Sequence, residues 1–103
     1  IFACNDMMGI GALRVAAERG IRVPEHCSII GFDDIELSSY TYPALSTVGQ
    51  SVRALGEAAA HMLIERISGA VSGATRRRVI TPRLVLREST AVFAGPRDTA
   101  LCA

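Results

Sequence analysis

Ile1-Phe2-Ala3-Cys4 runs into Asn5-Asp6, and Ser28-Ile29-Ile30-Gly31-Phe32 runs into Asp33-Asp34. Each is a short apolar run of the kind that forms a buried strand, and each ends in polar residues. Between them, the stretch Asn5 to Arg19 carries Met8, Ile10, Leu13, Ala16 and Ala17 at spacings that fit one face of a helix. Asn5 is a favoured N-cap and Gly20 a favoured residue just past a helix end, so both ends are marked. Ile21-Arg22-Val23-Pro24-Glu25-His26 then reads as a connector, because Pro24 lacks a donor and biases Val23 away from helix. Strand, helix and strand at this spacing make a βαβ unit, whose right-handed crossover leaves the two strands parallel. The carboxyl ends of parallel neighbours share one sheet edge, and ligands of α/β proteins bind in the crevice outside it. Asn5 and Asp33 are on that account candidate ligand contacts.

The pattern continues in the same style. Ile35 to Tyr42 reads as a short helical turn stopped by Pro43, and Leu45-Ser46-Thr47-Val48 as a further strand. A second helix follows, with Val52, Leu55, Ala58, Ala59, Met62, Leu63 and Ile67 on one stripe and Arg53, Glu57, Glu65 and Arg66 off it. Ser51 is placed to cap its start and Gly69 to end it. Small residues from Ser68 to Thr75 predict a loop, then Val79-Ile80 and Leu84-Val85-Leu86 predict two short strands. From Thr90 onward, Gly95-Pro96 and small residues without a period predict a frayed tail. Alternating β and α elements place the chain in the α/β class with a mainly parallel sheet.

A length of 103 residues with 50% hydrophobic composition is one domain's worth of chain, able to bury a core. Eleven basic residues against ten acidic ones leave a formal charge of +1, which excludes the electrostatic footprint of a nucleic-acid or anionic-membrane binder for this segment. All the cations among Lys and Arg are arginine, a composition bias to which no function is attached. Cys4, Cys27 and Cys102 are odd in number and lack metal-site spacing, so neither a disulfide framework nor a zinc site is expected, and reduced thiols in the cytoplasm are the default. No apolar run approaches the roughly 18 residues of a membrane helix. The sequence opens on Ile1 in mid-strand and reads as cut from a longer polypeptide.

Other motifs favour structural roles. Gly9-Ile10-Gly11-Ala12-Leu13-Arg14 begins like a dinucleotide fingerprint, but its glycines lie inside the helix instead of the turn before it, so Gly9, Gly11 and Ala12 read as residues permitting close packing. Asp33-Asp34-Ile35-Glu36 is acidic, yet no His accompanies it on the same edge, so neither a metal nor acid-base catalysis is expected. A carboxylate accepting from adjacent hydroxyls of a small ligand fits better, since charge-assisted acceptors are strong and directional. Capping of the following turn by Asp33 or Asp34 remains open, and the two roles can be split between them. There is no G-x-S-x-G, Cys4 sits in an apolar strand, His61 borders the apolar stripe of the second helix, and Arg76-Arg77-Arg78 reads as a solvated edge. No enzyme and no cofactor are indicated.

Taken together, Phe2-Ala3-Cys4-Asn5-Asp6-Met7-Met8-Gly9, Val23-Pro24-Glu25, Ile30-Gly31-Phe32-Asp33-Asp34, Leu45-Ser46-Thr47-Val48-Gly49-Gln50 and Arg83-Leu84-Val85-Leu86-Arg87-Glu88-Ser89 resemble the lactose-repressor (LacI/GalR) family of bacterial transcription regulators. The similarity runs from residue 1 to about 90 and corresponds to the last third of the family's effector-binding module. It implies the type I periplasmic-binding-protein-like fold, with two Rossmann-like subdomains joined by crossovers. Residues 1–48 would belong to the C-terminal subdomain, 49–81 to a crossover, helix and strand of the N-terminal one, 82–90 to a returning strand, and 91–103 to a flexible tail.

The resemblance also implies roles. Asn5 and Asp33 would line the effector cleft, with Gln50 a further contact at its edge. Ile10, Leu37, Tyr40 and Tyr42 would lie in a homodimer seam. The effector would be a sugar or similar small metabolite. Operator DNA would be bound only by an N-terminal domain that this sequence does not contain, and no membrane is involved. A periplasmic sugar-binding protein of the same fold is the alternative.

Overall fold

The computed structural model describes residues 1–92 and 95, so Cys102 and most of the expected tail lie outside the described residues. Two units divide the chain: residues 1–49 with the segment from Arg83 onward, and Gln50–Pro82.

In the first unit, helix α1 spans Asp6–Glu18, with Asn5 as its N-cap and Gly20 beyond its end at φ +67°. Strands β1 (Ile30–Asp33) and β2 (Ser46–Gly49) are parallel, and β3 (Arg83–Val85) runs antiparallel to β2, in the order β1-β2-β3. Phe2 extends the sheet beyond β1 through one parallel bridge to Ile30, with Ala3 N donating to Ile30 O at 2.8 Å. The short helical turn expected between Ile35 and Tyr42 forms as a 3-10 helix over Glu36–Ser39.

The core is small and lies between α1 and the sheet. Leu13, Ile29 and Leu45 form it, with Ile10, Ala12, Val23 and Cys27 packed against it. The buried stripe of α1 is Asp6, Gly9, Leu13 and Ala16, so Met8 and Ala17, read as apolar-face residues, point outward instead. A Cβ at Gly9 would come 2.8 Å from Leu45 Cδ2, which explains the small residue there; at Gly11 it would meet nothing among the described residues, so the close packing expected there is not found among them. At the amino edge of the sheet, Ser89 Oγ donates to Ile29 O (2.6 Å) and accepts from Ser46 N (2.8 Å), lashing the segment after β3 to both parallel strands.

In the second unit, helix α2 spans Val52–Ile67, and Ser51 Oγ caps it by accepting from Ala54 N at 3.2 Å. The strand expected at Val79-Ile80 is not formed. A strand needs a ladder partner for its amides, and among the described residues of this unit there is no other strand to supply one.

Candidate functional site

Asp33, Gly49 and Arg83 are cross-strand partners, a row that marks the carboxyl ends of β1 and β2 and the start of β3. The single parallel bridge from Phe2 to Ile30 sets the segment that leads into Asn5 beside the start of β1, the strand that ends at Asp33. Asn5 Oδ1 accepts from Met8 N at 2.8 Å, so capping uses its oxygen while its amide nitrogen remains a donor of the kind a ligand hydroxyl needs.

Behind Asn5, Asp6 is completely buried. Its Oδ1 accepts from the Thr47 hydroxyl at 2.6 Å and its Oδ2 from Ile35 N at 2.9 Å. One carboxylate at a helix N-terminus, where the backbone dipole favours negative charge, thus joins α1 to β2 and to the turn after β1. A Cβ at Gly31 would collide with Asp6 Oδ1 and lie 3.1 Å from Asp6 Cα, so the glycine makes room for this carboxylate.

Asp33 and Asp34 both have positive φ, +109° and +57°. Such conformations cost on the order of 1–3 kcal/mol each in a non-glycine residue and persist only where the surroundings impose them. Asp34 shows what does so. Its amide donates to Thr47 Oγ1 at 3.3 Å, its Oδ1 accepts from Arg87 Nη2 at 2.6 Å, and its Oδ2 accepts from Arg83 Nη2 at 3.1 Å. The Arg87 guanidinium holds the Asp34 carboxyl below its ordinary pKa, against the opposing push of burial and with help from Arg83. Arg87 is itself fixed, since its Nη1 donates to Ser38 Oγ (2.9 Å) and Leu45 O (2.8 Å) and its main-chain N to Ser46 Oγ (2.8 Å).

The question left open between the two aspartates therefore has a structural answer for one of them: Asp34 is an ion-pair residue. Asp33, half-buried, ends β1 at the row described above. Gln50 is the first residue of the second unit, immediately after β2. Of the residues expected in a dimer seam, Leu37, Tyr40 and Tyr42 are exposed around the 3-10 turn, whereas Ile10 is partly buried against the core. Met7, Met8 and Val15, not singled out from sequence as seam residues, expose a second apolar strip on α1. Among the described residues no group of three His, Cys, Asp or Glu side chains is placed to hold a metal, and no helix is long and apolar enough to cross a membrane.

Residues 1–90 match the family model of the periplasmic binding protein-like domain. The LacI family transcriptional regulator from Arthrobacter sp. FB24, solved in complex with lactose, superposes with a TM-score of 0.79 at 43% identity, over 88% of this chain and 35% of that one. The lac repressor dimer bound to operator and the anti-inducer ONPF gives a TM-score of 0.79 at 36% identity, over 88% of this chain and 31% of that one. The chain belongs to the periplasmic-binding-protein-like family, in its lactose-repressor branch. This lactose-repressor-family sequence is also 45% identical over 91 residues to the HTH-type transcriptional repressor PurR of Haemophilus influenzae (strain PittEE), covering 86% of this chain. It spans 27% of that relative's length.

Proposed function

We propose that this chain is the effector-sensing part of a DNA-binding transcription repressor, non-enzymatic and cytoplasmic, whose effector is a sugar or a similar polyhydroxylated metabolite. What supports this reading is that the segment leading into Asn5 pairs beside the strand that ends at Asp33, in a chain whose relatives are transcriptional regulators by name and include one solved with lactose. The Asp33 carboxylate accepts from adjacent hydroxyls of the ligand, the Asn5 amide nitrogen donates, and Gln50 adds a further contact. The exposed Leu37, Tyr40 and Tyr42, together with Ile10, supply the homodimer seam. Operator contacts belong to parts of the whole protein outside this sequence. The alternative, a periplasmic sugar-binding protein, is not favoured by the relatives, which are transcriptional regulators by name.

An effector shifts such a repressor only by binding one of its states more tightly, and a tenfold shift takes about 1.4 kcal/mol of differential affinity. The test is to titrate the whole protein with lactose and a panel of mono- and disaccharides, following both sugar binding and release of the DNA upstream of its own gene. A sugar that binds and changes DNA occupancy is the expected result. Absence of any sugar effect on DNA occupancy, or chemical turnover of a bound sugar, contradicts the reading.

A further inference from the structure

We propose that Asp34 is a positioning residue for Asp33: its carboxylate, forked onto Arg83 and Arg87, holds the left-handed Asp33-Asp34 turn and ties the effector contact to the strand that re-enters the first unit. The proposal rests on the reading of Asp33 as an effector contact.

Four observations lead to it. The turn has two consecutive non-glycine residues at positive φ, a pairing that needs external restraint. The restraint comes from far along the chain, since Asp34 is 49 residues from Arg83 and 53 from Arg87. The two arginines differ in kind: Arg87, whose side chain is 19% exposed, is anchored on Ser38 and Leu45 independently of Asp34, whereas the Arg83 side chain is 77% exposed. Finally, Gly49 lies between the partners, and a Cβ there would come 3.1 Å from Asp34 Cβ and Oδ2 and 3.4 Å from Arg83 Nε, so the absence of a side chain leaves room for the fork.

The two arms do different work. Arg87 fixes Asp34 to the sheet. Arg83, the first residue of the first unit after Pro82, links Asp34 to the crossover by one short stretch of backbone. Exposed ion pairs contribute little to stability, so the Arg83 arm is separable from folding.

The test uses the whole protein with three variants. Asp34→Gly relieves the backbone cost at φ +57° while removing the fork; Asp34→Asn keeps shape without charge; Arg83→Gln removes only the exposed arm. In Asp34→Gly and Asp34→Asn, lactose affinity is expected to fall about tenfold, the size of effect of losing a charged hydrogen bond, with the unfolding midpoint little changed in Asp34→Gly. Independently of any sugar, the backbone order parameter of Asp33, about 0.85 for rigid backbone, is expected to fall in Asp34→Gly and Arg83→Gln. An Asp33 order parameter unmoved in Arg83→Gln, or an affinity loss that merely tracks loss of folded protein, overturns the proposal. If lactose fails to bind the unaltered protein, the choice of sugar is wrong, and the order parameter still decides the clasp.

Discussion

In the first unit Ile29 and Leu45 are sealed from solvent and Asp6, Ser38, Ser46 and Ser89 are buried with hydrogen-bond partners, whereas in the second unit Val52, Leu63, Ile64 and Ile67 of α2 are 60% to 77% exposed. Both helices are amphipathic, so the difference lies in what each finds to pack against. The stripe of α1 meets a sheet whose strands are tied across long stretches of sequence by Asp6 to Thr47 and by Asp34 to Arg87. The second unit is held by local contacts: the Ser51 cap, the Arg53–Glu57 pair at 2.8 Å and the Arg76–Glu65 pair at 2.6 Å. A 16-residue helix is near the length at which isolated helices are marginal in water. Among the described residues of its own unit, nothing covers that apolar stripe.

The largest effect that separates the two units is expected in their apolar side chains. Leu45→Ala in the whole protein should cost about 2–5 kcal/mol in urea unfolding, since the side chain is fully buried and its site cannot collapse freely. Leu63→Glu in the 103-residue chain alone should cost nothing measurable and should reduce self-association in gel filtration; the same change in the whole protein should be strongly destabilising if that stripe is covered there. Equal tolerance in both settings would contradict the account of α2.

Next comes the buried carboxylate. Asp6→Ala leaves the Thr47 hydroxyl and the Ile35 amide without their acceptor, at roughly 1–3 kcal/mol for each group. Differential calorimetry should show a clearly lowered midpoint, and an unchanged one would mean that water replaces the carboxylate without penalty.

The pH dependence isolates Asp34. Its folded-state pKa is depressed, chiefly by Arg87, so the unfolded chain takes up the proton first as pH falls. The stabilising contribution is then full above the ordinary carboxylate value of about 3.9 and is lost as pH falls through the depressed one. The stability advantage of the unaltered protein over Asp34→Asn should accordingly be constant near neutrality and shrink below about pH 4. An advantage that grew on acidification would refute the ion pair's role.

The smallest effect, and the same in both units, is expected from the exposed helical pairs Arg14–Glu18 and Arg53–Glu57. Replacing either arginine by alanine should change stability by no more than about 0.5 kcal/mol.

Much of the first unit was legible in the sequence because its signals are local. Asn5 and Gly20 mark the ends of α1 where they are found, as Ser51 marks the start of α2 in the second unit, and the apolar run ending at Asp33 forms β1. The long-range polar ties were not legible. Asp6 reads as an ordinary acidic residue in a first helical turn; the only hint of burial is that Gly31 and Thr47, one without a side chain and one with a donor, occur in strands that can reach it. Arg87 reads as a strand-end charge, and nothing near it in sequence announces Asp34. Val79-Ile80 shows the converse failure, where strand-forming residues have no partner and so form none. Periodicity reports what an element is ready to bury, and only the partner decides whether it does.

The central proposal is that Asp33, at the carboxyl end of β1, meets the effector. Isothermal calorimetry on the whole protein and its Asp33→Ala variant, with whichever sugar displaces it from DNA, tests this most directly. Affinity weaker by roughly 1.5–3 kcal/mol, with DNA binding intact, is the predicted result; sugar affinity unchanged by the substitution would contradict it.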